Sequence, residues 1–240
     1  MIVFERNTPN EGTQTGRPCP FPSCRRLLAA LLLVLLAPVL TFPQSIGSML
    51  DRAGFSPANR EAIQAVIDLA EEEDVPRELL VPRLAEGIAK RVPPERIARA
   101  MRGELAGLVA ARRMLVEIGA GSLLDDQAVW ARTANLLDAR VRDESIAAIA
   151  RAAVEEPEAF RPATALLVSL TDWGLEDADA ASLAVAAIAS GLEGGSFPVV
   201  LELLIETRAA RREIPEMVEL LREALPNASS ARSLRRAVGM

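Results

Sequence analysis

Histidine and tyrosine are absent from the 240-residue chain, aromatics make up 3% of it, and lysine occurs once, at Lys90. Both cysteines, Cys19 and Cys24, precede an apolar run at 27–40. If that run is a removed signal, the remaining protein has no thiol and no imidazole. Disulfides, thiolate nucleophiles and Cys or His metal sites are then excluded, and no metal or other cofactor is expected. There is no phosphate loop of the Walker type and no GxGxxG following a strand. The glycine cluster Gly191, Gly194 and Gly195 reads as a loop between helices.

Carboxylates are the remaining acid–base groups. The pairs Asp125–Asp126, Asp143–Glu144, Glu155–Glu156 and Asp177/Asp179 fall at predicted helix ends, where acidic residues complement the macrodipole or face solvent. Glu144–Ser145 has the Glu-Ser order used by helical lytic transglycosylases. The GLMQ-like segment of those enzymes is missing downstream, and 146–154 reads as an amphipathic helix, so that assignment is rejected.

What the chain does have is apolar aliphatic mass. Half its residues are hydrophobic and a quarter are charged, a globular composition rich in alanine and leucine. Arginine in place of lysine, with abundant alanine, is what a GC-rich coding sequence gives. Arg25–Arg26 followed by the apolar run 27–40 has the form of a secretory signal peptide. The run is shorter than the roughly 20 apolar residues a spanning helix needs. Ser45-Ile46-Gly47 offers a small-x-small cleavage site, so a signal at 1–47 and a mature chain from about Ser48 are expected. Residues 1–24 form a long n-region or an upstream extension of the reading frame. No cysteine follows the run, so no lipid anchor is expected. An uncleaved signal anchor is the alternative.

Four arginines and two glutamates lie within 1–47, which leaves 23 basic and 31 acidic residues after it and a net charge of −8. Such a surface repels nucleic acid and anionic membrane, so neither is expected as a partner, and no membrane span remains after cleavage. Only the end is locally basic, at Arg232, Arg235 and Arg236, and 226–240 is expected to be a flexible basic tail.

Helical periodicity runs through 48–225. Ser56–Pro57 suits an N-cap and first helical position ahead of Ile63, Val66 and Ile67. Val75–Pro76 and Val92-Pro93-Pro94 break the chain, and Pro82 must kink the intervening helix or delay its start. Met101, Leu105, Leu108, Ala111, Leu115 and Ile118 form a core-facing stripe on the longest helix. Ser122 and Asp125 have capping-box spacing ahead of a helix carrying Val129, Leu136, Leu137 and Val141. Further helices carry Ile146 to Ala153, then Leu166 to Trp173 before Gly174. Residues 180–190 are apolar on nearly every side and are expected to form a buried central helix, with Leu183 and Ile188 touching its neighbours. Val200 to Leu204 and Ile214 to Leu225 mark the last two helices. No run alternates as a strand does.

The fold expected is all-α, an array of helix-turn-helix pairs in a solenoid-like or bundled arrangement. Residues 62–92 align with 162–192 at an offset of 100: Val75 meets Leu175, Ile88–Ala89 meets Ile188–Ala189, and Val92 meets Leu192. After one deletion, 110–113 meets 209–212. The alignment predicts an internal duplication, with halves 56–121 and 122–225.

The segment GIAKRVPPERI at 87–97 resembles a turn that recurs in uncharacterised exported all-helical bacterial proteins built from Val-Pro helix-turn-helix units. The resemblance spans about 75–115 and implies no activity. Export, helical pairs and missing catalytic chemistry together point to a non-enzymatic helical-repeat protein of the periplasm or cell envelope that binds an envelope protein or acts as a scaffold. An apolar-ligand carrier and a carboxylate-only glycan hydrolase are the alternatives. Trp130 and Trp173 are the candidate interaction anchors, set against core packing.

Overall fold

The structure is a computed structural model and describes residues 46–240, which lie within one compact unit. The apolar run at 27–40 and the rest of the expected signal up to Ser45 lie outside the described residues. Among the described residues there are eleven α-helices and no strand, so the chain is all-α. The helices are α1 (Ile46–Arg52), α2 (Pro57–Glu72), α3 (Val81–Ala89), α4 (Pro94–Glu117), α5 (Gln127–Asp138) and α6 (Asp143–Ala152). They continue with α7 (Pro157–Trp173), α8 (Asp177–Ile188), α9 (Pro198–Ala209), α10 (Ile214–Ala224) and α11 (Ala231–Ala237). Short 3₁₀ turns at Arg77–Leu79, Gly121–Asp125, Gly194–Ser196 and Leu225–Asn227 join some of them.

Local chemistry sets the helix ends. The Ser56 hydroxyl accepts from the Asn59 N–H at 3.3 Å, with Pro57 at the first helical position. Pro82 sits in the first turn of α3, where its missing N–H costs nothing, so the helix starts late and is not kinked. Helix ends repeat one device. Asp74, Arg91, Gly119, Arg140, Gly174 and Arg211 all have positive φ, and the N–H of the following residue reaches back to a carbonyl in the last helical turn. Examples are Val75 to Ala70 (2.8 Å), Val92 to Gly87 (2.9 Å), Val141 to Leu136 (3.0 Å) and Leu175 to Leu170 (3.0 Å). Arg91, Arg140 and Arg211 also place a cation at a helix C-terminus, where the macrodipole favours it.

Several sequence expectations are corrected. Val141 lies past the end of α5, in the turn. Asp126, not the Ser122–Asp125 pair, caps α5, its carboxylate accepting from the Ala128 N–H at 2.7 Å. Residues 226–240 are not a flexible tail. Ser230 and Ser233 form a capping box for α11, Leu234 and Val238 are buried, and Arg235 bridges Glu202 and Glu206 of α9 at 2.8 Å. Pro162 lies inside α7 without ending it. At an offset of 100, α2 and α7 both begin at a proline and end at a left-handed residue, Asp74 and Gly174. The correspondence of 110–113 with 209–212 fails: the first segment is inside α4, and the second is a helix end with Arg211 left-handed.

Two hydrophobic cores result. The N-terminal core joins α1 to α4 through Leu50, Ile63, Ile67, Leu84, Met101 and Leu108, with Trp130 and Ala134 from α5. The C-terminal core takes Leu115, Ala120, Leu123 and Val129 into the packing of α6 to α11. Both α4 and α5 therefore contribute to both cores, and no clean division at 121/122 exists. The stripe expected on α4 is buried from Met101 to Leu115. Helix α8 is the central helix expected at 180–190, packed on α6, α7 and α10, with Ala180, Leu183, Ala184 and Ala187 fully buried. Ile188, at its end, is half-buried against the same core.

Candidate interaction surface

The two tryptophans have different surroundings. Trp130 is 4% exposed, and its indole N–H donates to the Leu108 carbonyl at 2.8 Å. It fastens α5 to α4 inside the N-terminal core and offers no face to a partner. Trp173, at the end of α7, is half-buried, and the Arg208 guanidinium lies 4.9 Å from its ring centroid. Of the two expected anchors, Trp173 keeps some surface.

The carboxylate pairs sit at helix ends, where the fold uses several of them. Asp126 caps α5; Asp143 and Glu144 occupy the first turn of α6. Asp177 accepts from Thr171, and Asp179 pairs with Arg222 at 3.1 Å, linking α8 to α10. Among the described residues no cluster of three or more Asp, Glu, Cys or His is placed to hold a metal ion. No described helix is long and apolar enough to cross a membrane. No buried polar side-chain atom among them lacks a hydrogen-bond partner.

The largest described depression, about 620 Å³, runs between α4 and α5 and reaches α3. Ala100, Gly103 and Gly107 of α4 and Ala131 and Ala134 of α5 line it. Arg83 of α3 pairs with Glu104 at 2.7 Å on one side, and Asn135 and Asp138 contribute polar groups from α5. Hydrogen bonding to Glu104, more than any other cause, raises the Arg83 pKa. A Cβ at Gly103 would meet nothing within 4 Å, and one at Gly107 would meet only the Ala134 methyl at 3.8 Å. Gly87, in contrast, is buried, and a Cβ there would lie 2.7 Å from Ile97. The Ile97 side chain packed against it explains Gly87; packing does not explain Gly103.

Sequence periodicity did not reveal this groove. Its signal was present, as two glycines a turn apart inside the longest helix. The composition of one helix does not show what lies across from it, however. A second depression of about 490 Å³ lies between α5 and α7 at Arg132, Glu158 and Arg161. Burial, and then the nearby Arg161, lower the Arg132 pKa.

Comparison of the chain with protein-family models, with curated proteins and with solved structures gives no match.

Proposed function

We propose that the protein is an exported, non-enzymatic helical module of the cell envelope that binds another protein through the groove between α4 and α5. The observation that carries this reading is the pair of glycines in α4. A glycine in a helix interior costs roughly 0.5–1 kcal/mol relative to alanine. At Gly103 no neighbour demands it, and what its missing side chain provides is open space along a groove with polar groups beside it. A backbone or small side chains of a partner segment fit such a floor closely. Glu104, a carboxylate lining the groove, is paired with Arg83 at 2.7 Å.

Export rests on the signal-like sequence. Cleavage near Gly47 would keep Met49 and Leu50, which are buried in the N-terminal core, in the mature chain. Intact-mass measurement of the protein recovered from its host's envelope should give a chain starting near Ser48. Recovery in the membrane with 27–40 still attached would overturn export by cleavage.

The binding reading is tested by affinity purification from the same envelope with wild-type protein and with Gly103→Leu, which projects a side chain into the groove from an open Cβ position. Wild type should retain a partner that the variant loses, with a melting temperature no lower than that of wild type. Equal recovery by both would remove the groove from the function. Release of sugar from envelope glycan, abolished by Asp138→Asn, would replace binding with hydrolysis.

A further inference from the structure

Arg132 and Arg161 form a cationic pair in an otherwise acidic protein. Arg132 leaves α5 half-buried and is fixed in direction by α7: its Nε donates to the Thr164 hydroxyl at 3.1 Å and its Nη2 to the Thr164 carbonyl at 3.2 Å. The Thr164 hydroxyl in turn donates to the Arg161 carbonyl at 3.0 Å, which fixes its own rotor. These bonds use Nε and Nη2 of Arg132, and among the described residues its Nη1 has no hydrogen-bond partner. The Arg161 side chain, one turn before Thr164 on α7, lines the same 490 Å³ depression.

Among the described residues neither guanidinium has a carboxylate within 4 Å, so no ion pair occupies the donors that face the hollow. Glu158, one turn before Arg161, also lines the depression, without an ion pair to either arginine. Two like charges held near each other around a hollow repel, and an anion between them relieves that repulsion. Guanidinium groups offer forked donors that match the oxygens of a carboxylate or phosphate.

The geometry points to an oxyanion-binding site between α5 and α7, in which Arg132 and Arg161 hold the carboxylate or phosphate group of a small ligand. Arg132 supplies the fixed donor and Arg161 the exposed one. Glu158 opposes the bound charge and keeps the site weak for bare anions. Pro162, which lines the hollow, has no N–H to give the Glu158 carbonyl. A hydroxyl or ammonium group on the ligand would find an acceptor in the Glu158 carboxylate. This site is separate from the groove of α4 and α5 and stands or falls independently of it.

The test is calorimetric titration of the full chain at low ionic strength with sodium phosphate and, separately, with sodium succinate. Wild type should bind at least one of them; which one distinguishes a phosphate from a carboxylate ligand, and binding of both supports a general oxyanion site. Arg161→Gln should weaken binding by about tenfold or more, as expected on losing a charge-assisted bond. Its melting temperature should not change, because no hydrogen bond or ion pair of that guanidinium is lost. Glu158→Gln should tighten binding, an outcome that a merely structural role of the arginines would not produce. Absence of binding to both anions, or equal affinity of wild type and Arg161→Gln, would overturn the assignment.

Discussion

Helices α4 and α8 are both rich in small residues, and they turn them in opposite directions. In α8 the alanines face inward. Ala180, Ala184 and Ala187 are fully buried, where α6, α7 and α10 pack against the helix. In α4 large residues face inward, from Met101 to Leu115, and Ala100, Gly103 and Gly107 lie along a groove. The same residue types thus make a packed centre in one region and an open channel in the other. Composition alone does not separate the two outcomes; what separates them is whether the small side chains share the face of the large ones. On α8 they surround Leu183. On α4 Ala98 and Ala111 join the buried face, but Ala100, Gly103 and Gly107 are set off from it.

That contrast can be broken most severely at Leu183. Leu183→Asp places an unpaired charge at a fully buried site and should cost several kcal/mol, comparable with the whole stability of a domain. Loss of a cooperative melt is expected. Ile188→Asp, at the half-buried end of the same helix, should melt lower than wild type but remain folded. If both variants melt alike, α8 is not the enclosed helix described above.

The next largest effect is Ala184→Leu. Overpacking should destabilise by about 1–3 kcal/mol, measured by denaturant unfolding, because three helices surround that face. Smaller and opposite in sign is Gly103→Ala in α4, which should stabilise by roughly 0.5–1 kcal/mol, since the added methyl meets no neighbour and helix propensity improves. A loss of stability at Gly103 would mean that the groove is filled in solution and the comparison of the two helices fails.

The smallest effect concerns the exposed ion pairs beside the groove. Glu86 accepts from Lys90 at 2.6 Å and Arg83 at 3.1 Å, and these cations, Lys90 foremost, lower its pKa. A lowered folded-state pKa means that its contribution is complete above the unfolded carboxylate value and fades as pH falls through the folded one. Glu86→Gln should therefore flatten the acid limb of a stability-against-pH curve slightly, and salt should mask the difference.

Much of the fold was legible in the sequence because it depends on local rules. Ser56–Pro57, Gly119 and Gly174 mark helix ends by chemistry that needs no tertiary partner, and the spacing of Met101 to Leu115 gives the buried face of α4 directly. The helix ends at Asp74, Arg91, Arg140 and Arg211 were less visible, since a left-handed backbone there carries side chains that ordinarily avoid it. What marks them is the apolar residue that follows, Val75, Val92 or Val141, or a change of helical phase. The ordered end of the chain escaped notice because its charges read as a solvated tail; Glu202 and Glu206, which hold Arg235, lie about thirty residues earlier. The groove and the arginine pair were illegible for the same reason. Arg132 and Arg161, or Gly103 and Ala131, become neighbours only once α5 is docked between α4 and α7.

That docking also determines how the molecule comes apart. Successive residues of α5 serve different cores, Val129 the C-terminal and Trp130 the N-terminal. Neither core can dissolve while leaving the helix intact for the other, so the two are coupled into one unfolding step. The chain carries its own reporters of this, because Trp130 senses the first core and Trp173 packs against the second. With only two indoles, each separable by a Phe substitution, their emission transitions should coincide with each other and with the loss of helical ellipticity, the mark of all-or-none behaviour. Helical arrays whose units contact only their neighbours melt piecemeal from an end; a helix shared between two cores removes that freedom.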